Sequence, residues 1–177
     1  MHTFVLAPDS FKESMSAEQA CQAMQRGVLQ VFPDANCITL PMADGGEGTT
    51  DALKEAHNAK TYTIPVHDPL HRNIEASYAL SQDNQVAIIE MAASSGLDLL
   101  TDEERNPLIT STYGVGEIIL DALDHHVTKI ILGIGGSATN DGGSGMLCAL
   151  GAQFLDSKNQ PLKLGGGYLS ELAKIDF

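Results

Sequence analysis

The sequence predicts an α/β fold in which parallel strands are joined by helices, and three observations carry that expectation. Residues 3–40 read as a short apolar run, an amphipathic helix and a second apolar run, the pattern of a βαβ unit. Three polar loops each follow the carboxyl end of a predicted strand and precede a helix, the edge where open α/β sheets bind ligands. The 17 glycines and 43% hydrophobic residues fall in short alternating stretches, as in a loop-rich soluble protein with a real core.

Taken in order, residues 3–7 are an apolar run ended by Pro8 and read as a buried strand. Ser16 and Gln19 form a capping-box pattern, and Ala20, Met24, Val28 and Val31 recur at helical spacing, which predicts a helix over 17–31. Residues 36–40 are a second strand, 49–57 a helix and 60–66 a third strand. Residues 72–80 alternate, Gln82-Asp-Asn84 reads as a turn, and 85–91 is a strand, which together predict an antiparallel hairpin. Residues 92–112 are loop-rich with room for a short helix. A helix over 114–125, a strand over 128–134, a glycine-rich loop over 135–143, a helix over 144–151 and a short strand near 153–156 complete the series. The change from βαβ to hairpin near residue 66 marks the expected domain boundary.

Ten Lys+Arg against 23 Asp+Glu give a net charge of −13. A protein that neutralises nucleic-acid phosphates needs a positive face, so nucleic acid is excluded as the expected partner, and an anionic membrane surface for the same reason. No apolar run approaches spanning length. The N-terminus enters a strand directly, without the basic and apolar regions of a signal peptide. Cys21, Cys37 and Cys148 are widely spaced and odd in number, which suits buried free thiols in a reducing cytoplasm.

The first loop, residues 7–16, places Asp9, Ser10 and Lys12 at a strand end. Lys12 could neutralise a phosphate, and Asp9 could hold Mg2+ or accept a proton, although a simple turn before a capped helix explains the same residues. In the second loop, Asp44-Gly45-Gly46-Glu47-Gly48-Thr49, the glycines allow close backbone approach, and Asp44 and Glu47 are hard oxygen ligands or general-base candidates. The third, residues 133–145, holds Gly135, Gly136, Gly142 and Gly143 among its glycines. Its amides can form an anion nest, Ser137, Thr139 and Asn140 add neutral donors, and Asp141 is a second carboxylate candidate. It is neither a Walker A motif nor a dinucleotide fingerprint. Arg72 and Arg105 are candidate partners for a carboxylate or phosphate. Thr110-Ser-Thr112 before a helix could donate to an anion. His125-His126 ends a helix and suggests no metal, and Ser94 and Ser95 lack a visible His/Asp arrangement.

Five blocks together resemble the glycerate kinase family: Ala7-Pro-Asp-Ser-Phe-Lys12, Pro41-Met-Ala-Asp-Gly-Gly-Glu-Gly-Thr49, Asp68-Pro-Leu-His-Arg72, Ile89-Glu-Met-Ala-Ala-Ser-Ser-Gly-Leu97 and Gly133-Ile-Gly-Gly-Ser-Ala-Thr-Asn-Asp-Gly-Gly143. His71 departs from the glycine common in that turn.

The resemblance implies ATP-dependent phosphorylation of D-glycerate, with 2-phosphoglycerate favoured over 3-phosphoglycerate. It implies two α/β domains, one flavodoxin-like and one inserted into it. Residues 1–66 are then the first flavodoxin-like segment and 67–177 the inserted domain, incomplete because family members are about twice as long. Asp44 or Asp141 would act on the glycerate hydroxyl, and Lys12 and the amides of the Gly133–Gly143 loop would stabilise the transferring phosphoryl group. Asp9, Ser10, Gly45, Gly46, Glu47, Gly135, Gly136, Ser137, Asn140, Gly142 and Gly143 would bind substrate or nucleotide. Mg2+ would sit near Asp44, Glu47 or Asp141, and Arg72 is the candidate to hold the substrate carboxylate. A missing C-terminal half or a second copy of the chain is the expected macromolecular partner. The alternative is a non-catalytic anion- or nucleotide-binding remnant, or one half of a split enzyme.

Overall fold

The computed structural model describes residues 2–11, 14–46 and 48–177. Its element order is β1 (Thr3–Leu6), α1 (Ala17–Val31), β2 (Asn36–Thr39), α2 (Thr49–Ala56), β3 (Lys60–His67), β4 (Asn73–Leu80), β5 (Val86–Glu90), α3 (Ala92–Ser95), α4 (Tyr113–Asp124), β6 (Lys129–Gly133), α5 (Ser144–Ala149), β7 (Gln153–Leu155) and β8 (Lys174–Asp176), with short 3-10 turns at Leu97–Leu99, Asp102–Glu104 and Gly166–Glu171. It is a mixed α/β fold with parallel strand pairs, as the sequence predicts.

The βαβ unit is present. β1 and β2 pair in parallel, with Val5 opposite Ile38, and α1 crosses between them. The predicted capping box starts α1: the Gln19 amide donates to Ser16 Oγ at 3.2 Å, and the Ser16 amide donates to Gln19 Oε1 at 3.0 Å. Cys21 on α1 is buried and its thiol donates to the Leu6 carbonyl. The opposite face of this two-stranded sheet is open: Val5 is 62% exposed, Ile38 47% and Leu40 53%.

A separate four-stranded sheet has the order β3-β4-β5-β6. The β3–β4 and β4–β5 pairs are antiparallel and β5–β6 is parallel. The predicted hairpin is the β4–β5 pair. Its turn is closed by Ser81 Oγ, which accepts from the Gln85 and Val86 amides, and by Asn84 in the left-handed region. β3 pairs with β4 along its whole length, so the chain changes sheet between α2 and β3.

The helix α4 packs on this sheet through Val115, Ile118, Ile119 and Ala122, which meet Tyr78, Leu80, Ala87 and Ile89 in one dry cluster. Tyr78 is fully buried and its hydroxyl donates to Asp121 at 2.5 Å; burial and that carboxylate push its pKa far up. The thiols differ from expectation in one respect. Only Cys21 is buried; Cys37 and Cys148 are half-buried, and all three are free. Among the described residues no helix is long and apolar enough to cross a membrane.

Candidate functional site

The strand directions place the site. β3, β5 and β6 run the same way, so their carboxyl ends share one edge of the sheet. The turn after His67, the segment after Glu90 and the glycine-rich loop after Gly133 all begin there. The Asp44 loop arrives from the other sheet and is fixed to this edge by backbone: the Gly135 amide donates to the Gly45 carbonyl at 2.7 Å. Two loops with side chains could not approach so closely. A Cβ on Gly135 would stand 2.5 Å from Gly46 Cα, and one on Gly133 would stand 2.6 Å from the Gly45 oxygen. Gly45 itself has φ +96°.

Asp44 is exposed at this junction. Its Oδ1 accepts from the Gly46 amide at 2.9 Å, and among the described residues most of the carboxylate's acceptor capacity is otherwise unused. The Asp9 loop lies alongside, because the Met42 amide donates to the Pro8 carbonyl at 3.0 Å. Asp9 is exposed and accepts from the Ser10 amide at 2.6 Å. Lys12 and Glu47 lie outside the described residues.

Asp141 is placed very differently. It is 1% exposed. Its two oxygens accept from the Thr112 amide and hydroxyl and from the Gly143 and Gly145 amides, all within 3.1 Å. The Thr112 hydroxyl in turn accepts from the Met146 amide at 2.9 Å. This network ties the glycine-rich loop to the starts of α4 and α5. Gly142 and Gly143 follow Asp141 with φ +61° and +77°, which turns the chain back over its carboxylate. Thr110, Ser111 and Thr112 are buried, and Thr110 donates to the Ala138 carbonyl. Ser137, half-buried, and Thr139 are joined hydroxyl to hydroxyl at 2.8 Å, and Asn140 is exposed at the loop's tip.

Arg72 makes its contacts within the protein. Nε donates to the buried Asp68 at 2.5 Å, and the two terminal nitrogens to Glu104 at 2.8 Å and the Leu99 carbonyl at 3.2 Å. Asp68, then Glu104, push the guanidinium pKa up. Among the described residues no hydrogen bond joins Arg72 to the Asp44 or Asp141 loops. Arg105 pairs with exposed Asp102 at 2.7 Å. His125 Nδ1 lies 2.8 Å from the Asp121 carbonyl. Among the described residues no group of three or more His, Cys, Asp or Glu side chains converges as a metal centre.

Sequence reasoning missed Glu90. Its Oε1 accepts from the Thr50 amide at 2.6 Å, so the end of β5 holds the start of α2 and thereby the Asp44 loop. The signal was a lone acid closing an otherwise apolar strand.

A family model described as the glycerate kinase family matches residues 4–177. The chain belongs to the glycerate kinase family. It is 53% identical over 176 residues to a glycerate kinase of Halalkalibacterium halodurans, covering 99% of this chain and 46% of that protein. To the glycerate 2-kinase of Escherichia coli K12 it is 49% identical over 172 residues, 97% of this chain and 45% of the relative. A solved structure from Salmonella typhimurium LT2, 47% identical, superposes with a TM-score of 0.81 over 99% of this chain and 47% of that one. The chain therefore spans about half the length of the glycerate kinases it matches.

Proposed function

We propose that this chain carries phosphoryl-transfer loops of a glycerate kinase that phosphorylates D-glycerate from ATP, at the 2-hydroxyl in preference to the 3-hydroxyl. The observation that carries the reading is the backbone lock between Gly45 and Gly135, which brings the exposed Asp44 carboxylate to the glycine-rich loop. The relative named glycerate 2-kinase supports the choice of hydroxyl.

Asp44 takes the chemical role and Asp141 the architectural one. A carboxylate has about four lone-pair sites, and Gly46 occupies one at Asp44. The remainder fits both a Mg2+ otherwise held by phosphates and water, and the hydroxyl of the acid to be phosphorylated. Bound ATP and Mg2+ supply the phosphoryl group and neutralise its charge. Asp44 would orient the glycerate hydroxyl and accept its proton as the new oxygen–phosphorus bond forms and the bond from the γ-phosphorus to the departing ADP breaks. Asp141, by accepting from the Gly143 and Gly145 amides, holds the glycine-rich loop against the starts of α4 and α5. Arg72, tied to Asp68 and Glu104, shapes the edge of the site.

The chain changes sheet between α2 and β3, which supports a division into two units there, ahead of the residue 66 boundary expected from the sequence, with β3 in the second sheet. The open Val5–Ile38–Leu40 face supports packing of further chain of the kind the relatives carry, in cis or as a separate polypeptide.

The test is D-glycerate-dependent ATP consumption with Mg2+, measured for this chain and for the chain joined to the C-terminal half of the Escherichia coli relative. In whichever form turns over, Asp44→Asn should lower kcat by about 100-fold or more, the range for a lost general base. An unchanged kcat would remove Asp44 from the chemistry.

A further inference from the structure

A cavity of ≈ 410 Å³ opens beneath the glycine-rich loop, beside the Gly45–Gly135 lock rather than in it. Its floor is apolar: Met91 after β5, Leu132 and Ile134 at the end of β6, and Met146 on α5. Met91, Leu132 and Met146 are half-buried side chains packed on the core cluster, so the floor is continuous with a dry interior. Its rim is polar and uncharged, with Ser137, Thr139 and the exposed Asn140 carboxamide. Asp141, the carboxylate in its wall, is buried and hydrogen-bonded to Thr112, Gly143 and Gly145.

Glycerate does not suit this space. It is a three-carbon anion whose every carbon bears oxygen, and the floor offers it neither charge nor donors. A purine ring does suit it. Its faces are apolar and polarisable, which matches two thioethers, since methionine sulfur makes favourable contacts with aromatic rings. Its edge carries donors and acceptors, which matches an uncharged hydroxyl and amide rim. A carboxamide can pair with adenine at N6 and N7 together, whereas guanine presents acceptors at both corresponding positions.

We propose that this cavity is the base subsite of the phosphoryl donor: the adenine ring lies on Met91, Leu132 and Met146, and Asn140 reads its N6/N7 edge. The inference rests on the kinase reading and divides its site in two. The nucleoside end occupies the cavity, and the small acid occupies the Asp44 side of the Gly45–Gly135 lock.

The experiment uses the 177-residue chain with methyl-labelled Met and Leu and 15N-labelled Gly, titrated separately with adenosine, guanosine, ATP and D-glycerate and followed by NMR. Adenosine, which lacks phosphates, should shift the methyls of Met91, Leu132 and Met146. D-Glycerate should leave those methyls unmoved and shift Gly45 and Gly46. Guanosine should bind more weakly than adenosine, and Asn140→Ala should weaken adenosine about tenfold, the loss expected for one bidentate amide–adenine pair. That variant removes an exposed side chain, so its free methyl spectrum should match the parent and exclude misfolding. If ATP shifts the loop glycines but no nucleoside moves the cavity methyls, the base subsite is overturned and the kinase reading stands. If D-glycerate moves the cavity methyls, the cavity belongs to the acid and the assignment is reversed. Absence of any shift with adenosine and ATP alike overturns the subsite together with nucleotide binding by this chain.

Discussion

The β3–β6 sheet and the β1–β2 pair are finished to different degrees. The β3–β6 sheet buries Tyr78, Leu80, Ala87 and Ile89 against α4, and its strand ends are joined by hydrogen-bonded loops. The β1–β2 pair has a helix on one face only and leaves Val5, Ile38 and Leu40 in water on the other. Parallel strands are ordinarily covered on both faces. The first is organised by its own residues, while the second contributes the Asp44–Gly46 turn, whose position depends on being held by the first. Gly135 and Glu90 do the holding. The same contrast separates the two carboxylates: Asp141 belongs to the finished unit and is consumed by it, and Asp44 belongs to the open one and remains available.

Stability measurements can break this comparison, and urea denaturation monitored by circular dichroism reads them. The largest effect should come from Asp141→Ala, which strands the Thr112, Gly143 and Gly145 amides; with each orphaned buried group worth ~1–3 kcal/mol, the loss should be about 3–5 kcal/mol. Asp44→Ala, exposed, should lie within about 0.5 kcal/mol of the parent. Equal losses at the two positions would contradict the division of roles.

Next in size is the contrast between cores. Ile118→Ala empties a fully buried site and should cost about 3 kcal/mol. Ile38→Ala, on the open face, should cost under about 1 kcal/mol in this chain. In the chain joined to a relative's C-terminal half, the Ile38 loss should grow, because the face would then be covered. Gly135→Ala probes the lock itself. The clash with Gly46 should cost about 1–3 kcal/mol, as for other overpacked sites, and should raise hydrogen exchange at the Thr50 amide that Glu90 holds.

The smallest effect concerns His71. Its ring stacks on His67 at 3.9 Å, and Tyr113 meets both rings edge-on. The residue is exposed overall, but these rings desolvate one face. That burial, then the charge of His67, lowers the His71 pKa from 6.5, against weaker opposition from Glu117 and Asp68. A histidine with a lowered folded pKa binds fewer protons folded than unfolded. Its stability contribution is therefore present above the usual value near 6.5 and lost as pH falls through the lower folded value. His71→Gly, which also suits φ +65°, should flatten the pH dependence of urea stability below neutral pH. An unchanged slope would mean that His71 does not titrate with folding.

Much of this was legible in the sequence, and the exceptions have physical causes. Period and punctuation gave α1 its bounds, because Ser16, Gln19 and Pro33 mark both ends chemically. The β4–β5 hairpin followed from alternation and its turn residues. The 3-10 turn at Gly166–Glu171 and the three-residue β8 carry no periodicity long enough to read, and neither was expected. For the site, glycine density pointed to the loops, since only glycine permits the Gly45–Gly135 approach. Residue type could not separate Asp44 from Asp141, because what distinguishes them is Thr112, 29 residues away in sequence. Nor could it show that Arg72 is engaged by Glu104 across 32 residues, or that Glu90 caps a helix 40 residues earlier.

The central claim is that the Asp44 loop and the glycine-rich loop together receive the reactants of glycerate phosphorylation. The most direct measurement is the product of a reaction of D-glycerate, ATP and Mg2+ with the chain joined to the Escherichia coli relative's C-terminal half, followed by 31P NMR. The account predicts 2-phosphoglycerate, formed by the parent and not by Asp44→Asn. A folded joined protein that forms no phosphoglycerate, or that forms it equally well without the Asp44 carboxylate, would contradict it.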